Sequence, residues 1–168
     1  MKKLSFFTIR SVATVLAFAG LLTPSVAVAQ TATRGATSTG STLIVTFDKF
    51  RSNKGILRVL LFQQAKGYPD DAARAYKTRD VLLSQFMKGD AKEATITFAD
   101  LPPGTYALAA HHDENGNSKF DTHWYGKPRE GVAASNNPRP KMRAVRFNEA
   151  KFEMGNVGKA IPMSVWYP

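Results

Sequence analysis

Between Asp113 and Asp121 the chain reads Asp-Glu-Asn-Gly-Asn-Ser-Lys-Phe-Asp, which sets oxygen-bearing side chains at alternate positions. In a tight loop this spacing turns Asp113, Asn115 and Asn117 toward one point, and the Lys119 carbonyl with Asp121 completes an oxygen cage suited to a hard cation such as Ca²⁺. Counted as an EF-hand loop it departs twice: Ser118 stands where the sharp-turn glycine belongs, and Trp124 where a bidentate Glu belongs. The expected affinity is therefore weak, on the order of the 10⁻⁴ to 10⁻³ M of extracellular modules. The same residues also suit a turn without an ion, because Asn and Asp side chains bond their own backbone.

His111, His112 and His123 are the imidazoles available for a transition metal. Neighbours on a strand point to opposite faces, so only His112 and His123, across the loop, could share an ion. A hydrogen-bonded His112 at the end of a sheet competes with that reading. For hydrolysis the candidates are His112 with Asp113 or Glu130, and Ser135 as a nucleophile if folding joins it to a base. No nucleophile elbow, His-Glu-x-x-His helix or phosphate-binding glycine loop accompanies them. The residues themselves thus favour a binding or structural role over catalysis.

Strands must position these groups, because alternation with period two dominates after residue 41. Leu43, Val45 and Phe47 alternate with Ile44, Thr46 and Asp48, and Leu57, Val59 and Leu61 repeat the pattern beyond the turn Asn53-Lys54-Gly55. The two segments predict a hairpin. Pro69 to Arg79 predicts one short helix, and Val81 to Met87 fits helix or strand. Ala94 to Phe98 and Thr105 to Asp113 return to strand, joined through Leu101-Pro102-Pro103-Gly104. Leu101 to Tyr106 follows the tyrosine-corner pattern of immunoglobulin-like sandwiches. Residues 116–140 read as one long polar loop, and Ile161, Met163, Val165 and Tyr167 share a face on a last strand that Pro162 confines to an edge. Such a series predicts an all-β domain, an antiparallel Greek-key β-sandwich over residues 41–168.

Residues 1–29 have the parts of an export signal: Lys2, Lys3 and Arg10, an apolar run from Val12 to Leu22, then Ala27-Val28-Ala29 as a cleavage site before Gln30. The apolar run is about half of the roughly 20 residues a spanning helix needs, so no transmembrane segment is expected after cleavage. Residues 30–40 read as a flexible leader. The destination is the periplasm or the medium. With no Cys in the chain, disulfides, thiolate metal sites and a Cys nucleophile are excluded. The formal charge of +10 is partly gathered at Lys127, Arg129, Arg139, Lys141, Arg143, Arg146 and Lys151, against Glu130 and Glu149. That balance could rest on anionic components of a cell envelope, but the cations are scattered rather than aligned on one element, which fits a solvated loop better; nucleic acid is not expected of an exported chain without interleaved basic and aromatic residues.

Leu101-Pro102-Pro103-Gly104-Thr105-Tyr106-Ala107, then His112 to Asn117 with Lys119 and Asp121, then Gly126-Lys127-Pro128-Arg129-Glu130-Gly131 and Ser135-Asn136-Asn137 resemble the domain of unknown function 2141 family. The likeness runs roughly from Leu43 to Tyr167. It implies an exported bacterial β-sandwich, similar in outline to carboxypeptidase regulatory and prealbumin-like folds, and it implies no particular activity. Where the family pattern has Asn-Gly-Asn-Gly, this chain has Ser118 in place of the second glycine.

Overall fold

The structure is a computed structural model that describes residues 40–87, 92–140 and 143–168. The expected signal, nearly all of the expected leader, and Lys141 lie outside the described residues. Strands β1 (Ser41–Asp48), β2 (Ile56–Phe62), β3 (Lys77–Leu82), β4 (Ala94–Leu101), β5 (Gly104–Asp113), β6 (Gly131–Ala134), β7 (Phe152–Met154) and β8 (Lys159–Ser164) form two sheets. One has the order β4-β1-β8; the other has the order β3-β2-β5-β6, with β7 paired to the start of β5. The fold is therefore all-β. Pairing is antiparallel except between β1 and β8, which run parallel. Pro162 lies in β8, an outer strand of its sheet, where a missing N–H costs no ladder bond.

Both sheets turn one face to a common core. Leu43, Val45 and Phe47 of β1 and Ile96 and Phe98 of β4 meet Leu57, Val59, Leu61, Tyr106 and Leu108 of the second sheet, all nearly or wholly buried. The predicted hairpin does not form, because β1 and β2 face each other across this core instead of pairing. Alternation marks a buried face but does not say whether two such strands lie side by side or opposite. The connection makes the crossing by burying Phe50 and by taking Lys49 to φ 63° and Gly55 to φ 72°.

The segment 69–79 yields only a single 3₁₀ turn, Ala72–Arg74, capped by the Asp71 side chain. It gives way to β3, and the ambiguous stretch divides into the end of β3 and a one-turn helix α1 (Leu83–Phe86). A second one-turn helix, α2 (Phe147–Ala150), precedes β7. The chain passes from β4 to β5, and so between sheets, through Pro102-Pro103, where the Tyr106 hydroxyl donates to the Pro102 carbonyl at 2.8 Å and accepts from Gln63 Nε2 at 3.0 Å. That is the tyrosine-corner bond. The long loop expected at 116–140 is interrupted by β6, whose four residues pair with Ala109 to His112.

The other face of β5 has work of its own. Ala107 and Ala109 point away from the main core into two smaller clusters, one with Leu60, Phe62, Tyr68 and Phe147, the other with Ala134 and Ala150. Segments 63–76 and 143–150 cover part of this outer face and leave the rest open.

Candidate functional site

The loop after β5 is held by its own side chains. Asp113 is 2 % exposed, and its two carboxylate oxygens accept from the Gly116 and Ser118 amides, each at 2.7 Å. Asn115 Oδ1 accepts from the Asn117 amide, and Asn117 Oδ1 from the Lys119 amide. Asp121 Oδ2 receives the amide donors of both Asn115, at 2.7 Å, and Asn117, at 2.9 Å. Thus Asp113, Asn115, Asn117 and Asp121 do gather in one tight loop, and Lys119 adds its backbone amide, but both Asp113 oxygens, the Asn115 and Asn117 side-chain oxygens and Asp121 Oδ2 already have hydrogen-bond donors. Ser118 takes φ 62° despite its Cβ, the conformation in which a glycine would be at ease. No set of three or more His, Asp or Glu side chains among the described residues stands ready-made for a metal.

Glu130 closes the rim of this loop from the start of β6. It is 4 % exposed, one oxygen accepts only a long 3.4 Å bond from the Asp121 amide, and the other, Oε1, has no partner. Burial pushes its carboxyl up to about 7, and the nearby carboxylates of Asp113, Asp121 and Glu114 push the same way, while the Asp121 amide opposes them. A buried carboxyl with an unmet oxygen among three other acids is costly when ionised. Glu114 itself is satisfied by Arg51 and by Ser52 Oγ.

His112 is fully buried with both ring nitrogens engaged. Nε2 donates to the Lys54 carbonyl at 2.7 Å, and Nδ1 accepts from the Tyr167 hydroxyl at 2.8 Å. Burial lowers its pKa, which keeps the ring neutral and fits that tautomer. No nitrogen is left for a proton transfer or for an ion shared with His123, which instead stacks on Tyr125 among exposed residues. Ser135 is likewise spoken for: its buried Oγ accepts from the Leu108 amide and donates to the Ala150 carbonyl. His112 ties the end of β5, and Ser135 its middle, to the segments around them.

The open part of the outer face is a groove of about 700 Å³. Its floor is Leu60, Ala109, Val132 and Ala134, and Tyr68, Phe120, Tyr125 and Trp166 stand around it. Small side chains on β5 and β6 make the trough, since alanine on a sheet face leaves room that larger residues fill. His111 lies in it against Phe120, with Nε2 buried and unpartnered, and burial lowers the pKa of this ring also. Among the described residues, four cations line the groove. Arg58 is held by Asp80 and Arg143 by Glu149, whereas Lys127 and Arg139 have no ion-pair partner among the described residues; Asp70 is an acid among the described lining residues. Nothing in the sequence reading pointed to this groove, although the run Ala107, Ala109 beside a core-facing Tyr106, Leu108 carried a trace of it.

Among the described residues no helix is long and apolar enough to cross a membrane. No curated protein and no solved structure matches the chain. A family match does exist, over residues 45–161, and it spans the whole architecture from β1 into β8, including the loop, Glu130 and the strands that floor the groove. The chain belongs to the bacterial family described as uncharacterized protein conserved in bacteria, DUF2141.

Proposed function

We propose that this is an exported binding module, periplasmic or secreted, which holds a small amphipathic carboxylate in the groove outside β2, β5 and β6. The signal-like pattern of residues 1–29 supports the compartment. The groove carries the rest: its volume lies within the several hundred Å³ usual for small-ligand sites, and such sites combine apolar walls with a few polar anchors. Leu60, Ala109 and Val132 would take the apolar body. Lys127 and Arg139, unpaired at the edge, would take the carboxylate, in keeping with an anionic partner from the envelope. Decanoate is a suitable probe. Calorimetry should give a Kd on the order of 0.1 mM, the scale set by about a dozen heavy atoms at ordinary ligand efficiency. Val132→Trp, at a half-buried position facing the groove, should weaken binding at least about tenfold with the far-ultraviolet spectrum unchanged. Undetectable decanoate binding, or equal binding by Val132→Trp, would overturn the proposal.

Glu130 favours a second role for the same end of the domain. A Ca²⁺ ion at Asp113, Asn115, Asn117, the Lys119 carbonyl and Asp121 would relieve the crowded acids and give Glu130 Oε1 a partner. It would also displace the Asn115 and Asn117 amide donors from Asp121, which keeps the affinity low. An ion that binds only the folded chain in the millimolar range adds about 1–2 kcal/mol at several millimolar. Thermal melts should therefore rise by several degrees in Ca²⁺ relative to chelator. The doubly substituted Asp113→Ala, Asp121→Ala protein should show no such rise. Superimposable wild-type melts would remove the ion.

A further inference from the structure

Residues 121–129 form a finger that neither the groove nor the ion site uses as a whole. Thr122 and Pro128 are bridged, the Arg129 amide donates to the Asp121 carbonyl at 3.0 Å, and the His123 amide donates to the Lys127 carbonyl at 2.8 Å. A turn closed by the Gly126 amide on the His123 carbonyl, also at 2.8 Å, puts Trp124 and Tyr125 at the tip. Trp124 is 95 % exposed and Tyr125 56 %. Tyr125 stacks on His123 with ring centres 5.1 Å apart, and Trp124 touches it only edge-on. These backbone bonds hold the turn that presents the indole to solvent.

A single exposed apolar residue is unremarkable on a protein surface. Here Trp124 and Tyr125 share the region with Phe120, 40 % exposed, and with the exposed cations Lys119 and Arg129, neither of whose side chains has an acidic partner among the described residues. The nearby acids are already engaged: Asp121 receives two amide donors, and Glu130 is buried. An indole and a phenol flanked by outward Lys and Arg match the boundary of a bilayer, where rings sit at headgroup depth and cations meet lipid phosphates. We infer that the finger docks the domain on an anionic bilayer surface, with Trp124 entering the headgroup layer and Lys119 and Arg129 resting on phosphate. The inference does not depend on the groove's ligand.

Vesicle sedimentation tests it. The protein recovered after export is mixed with vesicles of phosphatidylglycerol and phosphatidylcholine, and separately with phosphatidylcholine alone. Binding should favour the anionic vesicles and fall as salt is raised. Trp124→Ala, which removes a 95 % exposed side chain whose ring contact is edge-on with Tyr125, should lower the partition coefficient about tenfold or more, the loss expected for part of an indole's buried area. Lys119→Gln with Arg129→Gln should weaken binding and flatten its salt dependence. Failure to sediment with anionic vesicles at low salt, or a Trp124→Ala protein that sediments like wild type, would overturn the inference, as would capture by neutral polysaccharide with none by vesicles.

Discussion

Glu130→Gln should make the domain more stable than wild type at pH 8 and nearly equal to it at pH 4.5. The folded-state carboxyl is pushed up to about 7 from an ordinary 4.5. Below the ordinary value both folded and unfolded chains hold the proton, and burial of the neutral acid costs little. As pH rises the unfolded chain ionises first, and above about 7 the folded chain must ionise too, so stability is lost across that window. The shift corresponds to at most about 3 kcal/mol, a large share of the stability of a domain this size. Gln keeps an oxygen for the Asp121 amide and sets an NH₂ where Oε1 now lacks a partner, beside Asp113 and Asp121. Urea unfolding of both proteins at a series of pH values measures the difference directly, and parallel curves would refute the assignment. Millimolar Ca²⁺ adds a second axis. If the rim holds the ion, the ionised carboxylate becomes the favoured form, and the advantage of Gln at pH 8 should shrink or reverse.

Sequence periodicity was a sound guide wherever a strand had one wet face and one dry face. The inward positions of β1, β4 and β5, the edge placement of β8 by Pro162 and the Tyr106 corner all follow from local rules acting over a few residues. What it could not reveal were relations between distant segments. The pairing of β1 with β4 and β8 is one case, since two apolar faces look the same whether adjacent or opposed. The strand β6 is another: Gly131 to Ala134 has no alternation of its own and is a strand because β5 lies beside it. At the site, the spacing of Asp113, Asn115 and Asn117 suited both a cation cage and a turn bonded to its own backbone, and the hydrogen bonds of the turn are present. The pressure on Glu130 was not legible, because it arises from burial against acids 9 to 17 residues away in sequence. The groove was hidden for a similar reason. It depends on alanines that look like ordinary filler until segments 63–76 and 143–150 are seen to cover only part of the sheet.

The connection into β2 supplies the other large effect. Gly55→Ala should cost about 3 kcal/mol or more, whereas Gly116→Ala, in the rim loop, should cost only about 1 kcal/mol. Both glycines take left-handed φ, 72° and 69°, so both substitutions carry the strain of an L side chain there. They differ in what the new Cβ meets. At Gly116 nothing lies within 4 Å, but at Gly55 the methyl would fall 1.9 Å from the Asp113 carbonyl oxygen and 2.7 Å from Glu114 Cα. Those are backbone atoms, which cannot rotate away. Relief would require the ends of β2 and β5 to part at the Ile56–Asp113 pair, where the Lys54 carbonyl also holds His112. The difference between the two variants therefore isolates the clash from the strain. Unfolding free energies from urea titrations of the pair should differ by roughly 2 kcal/mol, and Gly55→Ala should also disturb the His112 ring signals by nuclear magnetic resonance, while Gly116→Ala leaves them in place. Equal midpoints would mean that the β2–β5 end is more pliable than the close approach of Gly55 to Asp113 implies, and that the rim is not anchored there.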